Sequence, residues 1–345
     1  MGFIKFLKFL KLKLRRKRVA ERVAAVHEDS VIVEDSTKGV RSMVFCWEEI
    51  KKMTMDLSIM VGYGGFSTVY LAEFPDSTRA AVKIQCSSER LDRAYKQELE
   101  ILTHVRHPNV VKLLGYCNDR EEGILLLEYI PNGNLQEKLH NSNYVPLSWK
   151  RRMIITFQLA QVLEYLHEKC SLQIVHGDIK PSNILLDDQM NCKLCDFGSA
   201  KMGFSSLVLP PSSRRNRITL LGSPGYTDPY YLKTGLVSKK NDVYSFGVIV
   251  LELITGLEAF NLVNGEIVTT RADVALRDVE KVVEIIDPRL GGEIIDLDEV
   301  KTMAGVAAMC LCDCPSLRPS MSDILSTMRN KISWISLCVF EEKVV

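Results

Sequence analysis

The 345 residues predict an α+β fold with a small β-rich lobe followed by a larger helical one. Between about residues 60 and 130, short runs alternate apolar and polar residues as strands do, with one helical stripe between them. After the turn "PNGN" (131–134) the apolar period lengthens to that of helices. A composition of 46% hydrophobic and 25% charged residues is globular and excludes disorder on the scale of the whole chain.

The segment 1–19, "MGFIKFLKFLKLKLRRKRV", carries eight basic residues and no acid. A lysine every two or three positions excludes a signal-peptide core or a membrane span. On a helix Phe3, Leu7, Leu10 and Leu14 share a face away from Lys5, Lys8 and Lys11, which suits an anionic membrane surface. An organelle-targeting peptide, or a nuclear signal in Arg15–Arg18, is the alternative. Gly2 could open a myristoylation signal, but Phe6 stands where a hydroxyl is wanted, so no lipid is expected. The remaining residues hold 36 bases against 43 acids, a net −7 that does not suggest a nucleic-acid surface.

Residues 20–54 read as a polar linker ending in a short helix around 47–52. Residues 55–130 form the first lobe: a hairpin of 69–74 and 80–85 across the turn "PDST", a helix over 91–105, then strands over 110–116 and 124–130. Residues 131–330 supply helices over 149–168, 243–254, 274–286 and 300–310. A last helix is announced by Ser320-x-x-Asp323, a capping-box spacing after Pro319. A long loop over 201–221 and a tail, 331–345, complete the chain. Ten cysteines scattered without a secretory signal predict reduced thiols in a cytosolic protein. Cys192-x-x-Cys195 has redox or zinc spacing, but it sits in a strand-like segment and no second pair completes a zinc site.

Three stretches carry chemistry. In "VGYGGFSTVY" (61–70), Gly62, Gly64 and Gly65 could let backbone N–H groups approach a phosphate, though a tight hairpin would use the same residues. In the strand 80–85, Ala81 and Lys83 share a face, and a buried lysine needs an anion. On the next helix Glu98 falls in the stripe Leu91, Ala94, Ile101 and Val105, and a carboxylate there needs a cation. Pairing Glu98 with Lys83 solves both problems, and the lysine could also touch a phosphate. Further on, "IVHGDIKPSNILL" gathers Asp178, Lys180 and Asn183, and "CDFGS" adds Asp196. Phosphoryl transfer calls for a carboxylate to accept a hydroxyl proton, oxygen ligands for Mg²⁺ and a cation on the moving group.

From about residue 55 to 330 the series Gly62-x-Gly64, Ala81-Val82-Lys83, Glu98, His176-Gly-Asp178-x-Lys180-x-x-Asn183, Asp196-Phe197-Gly198, Asp242 and Arg318 resembles the protein kinase family. The stretches "GGFSTVY", "LLLEYIPNGNL", "GSPGYTDPYY" and "DVYSFGVIVLELITG" look like plant receptor-like kinases. Without an ectodomain or membrane span, the chain looks like their receptor-like cytoplasmic branch. The resemblance implies a bilobal kinase fold and ATP with Mg²⁺. Asp178 would be the catalytic base, Lys180 would sit on the γ-phosphate, and Asn183 and Asp196 on the metal. Lys83 would bind the α- and β-phosphates. Val61, Val69, Ala81 and Leu185 would sandwich adenine, the backbone of Glu128–Ile130 would bond its edge, and Leu127 would lie behind it. Lys180, two places after the aspartate, is the serine/threonine form of this loop. Implied partners are Ser/Thr-containing protein substrates and membrane receptor kinases, at the cytoplasmic face of the plasma membrane or, alternatively, in cytoplasm or nucleus.

Three positions depart from the family pattern. Ser67 replaces the third glycine of the loop, for which reduced activity is expected. Gly177 replaces the arginine that in many kinases clasps a phosphorylated loop, so switching by that ion pair is excluded. Tyr230 replaces a glutamate that would pair with Arg318, leaving a cation for a tyrosine hydroxyl or a backbone carbonyl to satisfy. Ser67 and Tyr230 keep open a second reading, a pseudokinase scaffold that binds receptor kinases without transferring phosphate. Ser205, Ser206, Ser212 and Ser213 beside Arg214, Arg215 and Arg217 read as a solvated loop, with a regulatory phosphosite as the alternative.

Overall fold

A computed structural model describes residues 43–203 and 222–336. The basic segment 1–19, the linker to residue 42, the serines of the 204–221 loop and the tail from 337 lie outside the described residues.

The first lobe is a six-stranded sheet in the order β1-β5-β6-β4-β3-β2. Its strands are β1 (Met43–Phe45), β2 (Met60–Tyr63), β3 (Ser67–Glu73), β4 (Arg79–Gln85), β5 (Leu113–Cys117) and β6 (Ile124–Glu128). The hairpin expected across "PDST" pairs β3 with β4, and Asp76 Oδ1 fastens the turn by accepting the Thr78 N–H at 2.9 Å. Alternation along β4 sends Ala80 and Val82 to one side of the sheet and Ala81, Lys83 and Gln85 to the other. Helix α1 (Trp47–Met53) covers the first side. Its fully buried Ile50 joins Ala72, Ala80, Val82, Cys117, Ile124 and Leu126 in a core of its own. The strand β1 was not legible: three residues are too few for a period, and it adds to β5 in parallel. The expected strand 110–116 begins later, at Leu113, because Val110 bridges instead to Leu194.

Helix α2 (Glu89–His104), capped by Ser88 Oγ on the Leu91 N–H, faces the other side of the sheet with Tyr95, Glu98, Ile101 and Leu102 buried. Its Glu98 therefore enters the space above β4 rather than solvent.

The second lobe holds α3 (Leu135–His140), α4 (Trp149–Glu164), α5 (Pro229–Thr234), α6 (Lys239–Thr255), α7 (Val268–Arg271), α8 (Asp273–Arg277), α9 (Leu297–Cys310) and α10 (Met321–Lys331). Short strand pairs β7 (Ile174–Val175) with β10 (Lys201–Met202), and β8 (Ile184–Leu186) with β9 (Cys192–Leu194), carry the loops of the site. The capping box of Ser320 and Asp323 forms as expected. Among the described residues no helix is long and apolar enough to cross a membrane.

Two expected helices differ. The run 149–168 is α-helical only to Glu164 and widens into a π turn over Tyr165–Lys169. The wider turn accompanies two contacts: His167 reaches Asp242 at 2.8 Å, and the Tyr165 hydroxyl accepts the Arg106 N–H. The run 274–286 breaks after Arg277, where Asp278 turns extended and accepts the Glu280 N–H, and continues as a 3₁₀ helix, Val279–Ile285. A side chain that offers the backbone a local bond competes with the helix. Cys192 lies in β9 and is fully buried, and burial pushes its thiol up to about 12, so it is no ready thiolate.

Candidate active site

The buried lysine and carboxylate meet. Lys83 Nζ lies 2.9 and 2.8 Å from the two oxygens of Glu98 and 2.8 Å from Asp196 Oδ1. Both Lys83 and Glu98 are buried, whereas the Asp196 side chain is 45% exposed, so the carboxylate opens the pair toward the space between the lobes. Burial works against the Lys83 charge, but Glu98 and Asp196 outweigh it and hold the ammonium above its ordinary pKa. Lys83 in turn pulls Asp196 down to about 2. Burial raises the Glu98 carboxyl, with Lys83 pulling the other way.

Asp196 adopts the left-handed conformation, φ 65°, just before the 3₁₀ turn Phe197–Ser199. Aspartate tolerates that region better than bulkier residues, and such backbone clusters at functional sites. Phe197 is fully buried, edge-on to the His176 ring at 4.8 Å between centroids.

The segment 176–183 is fastened from below. Asp242, at the start of α6, accepts the N–H groups of His176 and Gly177 at 2.8 Å each and the Nε2–H of His167. His176 Nδ1 accepts the Asp178 N–H, so its Nε2 carries the proton donated to the Cys195 carbonyl. Asp178 is thus held by backbone on one side and by side chains on the other. Lys180 Nζ lies 2.8 Å from its Oδ2, Asn183 Nδ2 donates to the same oxygen at 3.2 Å, and the Ser223 hydroxyl donates to Oδ1 at 2.8 Å. Lys180 also donates to Ser223 Oγ at 2.8 Å.

Because Asn183 spends its Nδ2 on Asp178, its Oδ1 is the acceptor left to face a cation together with Asp196. Two hard oxygen donors suit Mg²⁺, which keeps waters and takes phosphate oxygens.

Across the sheet, Val69 is opposite Lys83 and Leu71 opposite Ala81, so Val69, Ala81 and Lys83 line one face. Gly64 and Gly65 lie in the turn between β2 and β3, with the Gly64 N–H bonded to the Ser67 carbonyl at 2.8 Å. Of the two readings, the tight hairpin is the one the backbone displays. Nothing among the described residues requires glycine at 62, 64 or 65: none has a left-handed φ, and an added Cβ would meet no described atom closer than 3.7 Å. Val61 is 40% exposed on β2, and Leu185 is half-buried on β8. The Glu128 N–H is taken by the Lys112 carbonyl at 2.9 Å, which leaves its carbonyl as the backbone group for a ligand edge, and Ile130 follows it buried.

The cation left over by Tyr230 also has its answer. Arg318 is fully buried and grips Asp228 with both terminal nitrogens, at 2.6 and 2.9 Å, while donating to the carbonyls of Cys312 and Lys240. The carbonyls are accessory acceptors, and the charge itself is met by a carboxylate that neither expectation named. The acid sits two residues earlier, in "TDPYY", where Asp228 also caps α5 through the Tyr230 N–H.

Sequence reasoning missed Ser223, Asp228 and the His167–Asp242 link. Each is one polar residue in a loop or helix end, with no local pattern to mark it.

A buried lysine–glutamate pair facing a half-exposed aspartate, and an aspartate held by lysine and asparagine, are the groups that phosphoryl transfer calls for. The protein kinase domain family model matches residues 56–328, and the chain belongs to the protein kinase family. It is 48% identical over 322 residues to a probable receptor-like protein kinase of Arabidopsis thaliana, covering 89% of this chain and 94% of that one. It is 46% identical over 329 residues to salt tolerance receptor-like cytoplasmic kinase 1 of Oryza sativa subsp. japonica, covering 93% and 89%. A probable serine/threonine-protein kinase of Arabidopsis thaliana is 34% identical over 313 residues, covering 87% and 81%.

Proposed function

We propose that this kinase transfers the γ-phosphoryl group of Mg²⁺-bound ATP to serine and threonine hydroxyls of proteins in receptor-kinase signalling, held at the cytoplasmic face of the plasma membrane by its basic segment. The observation that carries the catalytic reading is the meeting of Lys83, Glu98 and Asp196 beside the Asp178, Lys180 and Asn183 cluster.

Lys83, fixed by Glu98, binds the α- and β-phosphates; Asn183 and Asp196 would hold Mg²⁺, which would supply charge neutralisation for the transfer. Asp178 orients the acceptor hydroxyl and takes its proton. Lys180 stabilises negative charge on the moving group. The glycines at 62, 64 and 65, which packing among the described residues does not demand, leave room for phosphates against the backbone. Val61, Val69, Ala81 and Leu185 enclose the adenine, with the Glu128 carbonyl and the Ile130 backbone at its edge.

Ser223 supports the choice of acceptor. Its hydroxyl donates to Asp178 and accepts from Lys180, the two contacts that an aliphatic hydroxyl of substrate would make. Labelled ATP and a mixed protein acceptor test this: phosphoserine and phosphothreonine are expected, and label confined to tyrosine would overturn the assignment.

The membrane reading rests on residues 1–19, where each basic residue near an anionic surface contributes about 1 kcal/mol. Replacing Lys5, Lys8, Lys11 and Lys13 by glutamate moves the protein to the soluble fraction on this reading. Undiminished membrane residence of that variant would contradict electrostatic docking.

A further inference from the structure

Glu98 has a donor besides Lys83. Gln85, two residues beyond the lysine on β4 and on the same face, directs its Nε2 to Glu98 Oε2 at 3.2 Å. The amide is oriented by its neighbour, since turning Oε1 toward the carboxylate would set two acceptors against each other. Gln85 is 6% exposed, and its Oε1 is buried without a hydrogen-bond partner. A half-satisfied buried amide costs stability that an apolar side chain of the same length would not. Its compensation lies in the bond to Glu98.

The second observation is at Gly177. Its backbone is left-handed, φ 77°, its N–H is tied to Asp242, and a Cβ there would stand 3.1 Å from the Ser199 carbonyl oxygen. No side chain at that position can tie a phosphorylated loop to the catalytic segment. Yet Glu98 already meets Lys83 with both oxygens.

We infer that Gln85 is a positioning residue that holds Glu98, and with it helix α2, in the Lys83-pairing position, so that this pair is assembled without loop phosphorylation. The inference rests on the reading of Lys83 and Glu98 as the phosphate-binding pair. In that role Gln85 does not touch nucleotide. It restricts the rotamers of Glu98, which fixes the ammonium that does.

A double-mutant cycle on the full chain, treated with phosphatase, tests this by the KM for ATP. Gln85→Met keeps the length and removes the donor. It raises the KM about ten-fold in the wild-type background, as expected for loss of a buried bond to a charged group, and less than about two-fold in a Glu98→Gln background. Hydrogen exchange over residues 89–104 rises in Gln85→Met and stays protected in the phosphatase-treated parent. Equal KM effects in both backgrounds would make Gln85 a packing residue, and no effect in either would remove it from the site. Should Gln85→Met not fold, Gln85→Asn, whose amide stops a methylene short of Glu98, enters the same cycle with the same two readings. If Glu98→Gln alone leaves the KM unchanged, the phosphate-binding pair itself is wrong, a failure separate from that of Gln85.

Discussion

Asp178→Asn leaves the protein folded and competent for Mg²⁺–ATP but lowers phosphoryl transfer by about 10²–10⁴-fold, the range for loss of a general base. In the proposed mechanism the carboxylate has one task that an amide cannot perform, which is to accept the hydroxyl proton. It also presents acceptors on both oxygens, to Ser223 on one side and to Lys180 and Asn183 on the other. An amide would turn an N–H toward one of these sets, so the acceptor hydroxyl loses orientation as well as its base. Autophosphorylation with labelled ATP reads the effect, and far-UV circular dichroism verifies the fold. Equal labelling of parent and variant would remove Asp178 from the role of base and revive the scaffold reading.

Asp228→Ala has its largest effect on stability, about 3–5 kcal/mol, because it strands the Arg318 guanidinium in the interior. Arg318 and Asp228 have side-chain exposures of 1% and 0%, with two charge-assisted bonds between them. The same aspartate accepts from Asn241 Nδ2 and caps α5, so its loss loosens the segment that carries Ser223. Tyr230→Glu provides the contrast. Tyr230 is 38% exposed, and the arginine it was expected to answer already has its acid, so the added carboxylate changes stability by less than about 1 kcal/mol. Urea denaturation measures both. Removing the pair together, Asp228→Ala with Arg318→Met, recovers part of the loss, because the uncompensated charge goes with it. A full recovery by Tyr230→Glu in the Asp228→Ala background would instead place the acid's role at position 230.

The contrast between Tyr230 and Asp228 marks the boundary of what the chain discloses without coordinates. Period and local chemistry were enough for β4 and α2, because a strand's two-residue and a helix's 3.6-residue repeat decide which side chains share a face. That is why Lys83 and Glu98 could be paired before their 2.8 Å contact was seen. The turn at Gly64 and Gly65 is readable in two ways, as hairpin or phosphate cradle, and the backbone displays the hairpin. Contacts between residues distant in sequence left no such trace. The register of β1 on β5, the 90 residues from Asp228 to Arg318 and the 45 from Asp178 to Ser223 are set by how helices and loops pack. The breaks after Glu164 and Arg277 belong to the same class, since tertiary bonds of His167 and a local bond of Asp278 override an unbroken helical period.

Tyr230 is one of two departures that keep open a scaffold without activity. With Arg318 satisfied by Asp228, that departure no longer implies a damaged lobe. Ser67 remains, at the start of β3, where its carbonyl closes the turn by accepting the Gly64 N–H.

Isothermal titration of the full chain with ATP in the presence of Mg²⁺ addresses the pocket most directly. Saturable binding at a single site, weakened at least ten-fold by Lys83→Met, is the predicted result. Absence of nucleotide binding by the folded parent with magnesium present would contradict the phosphate-binding role of Lys83 and Asp196, and with it the kinase mechanism drawn from them.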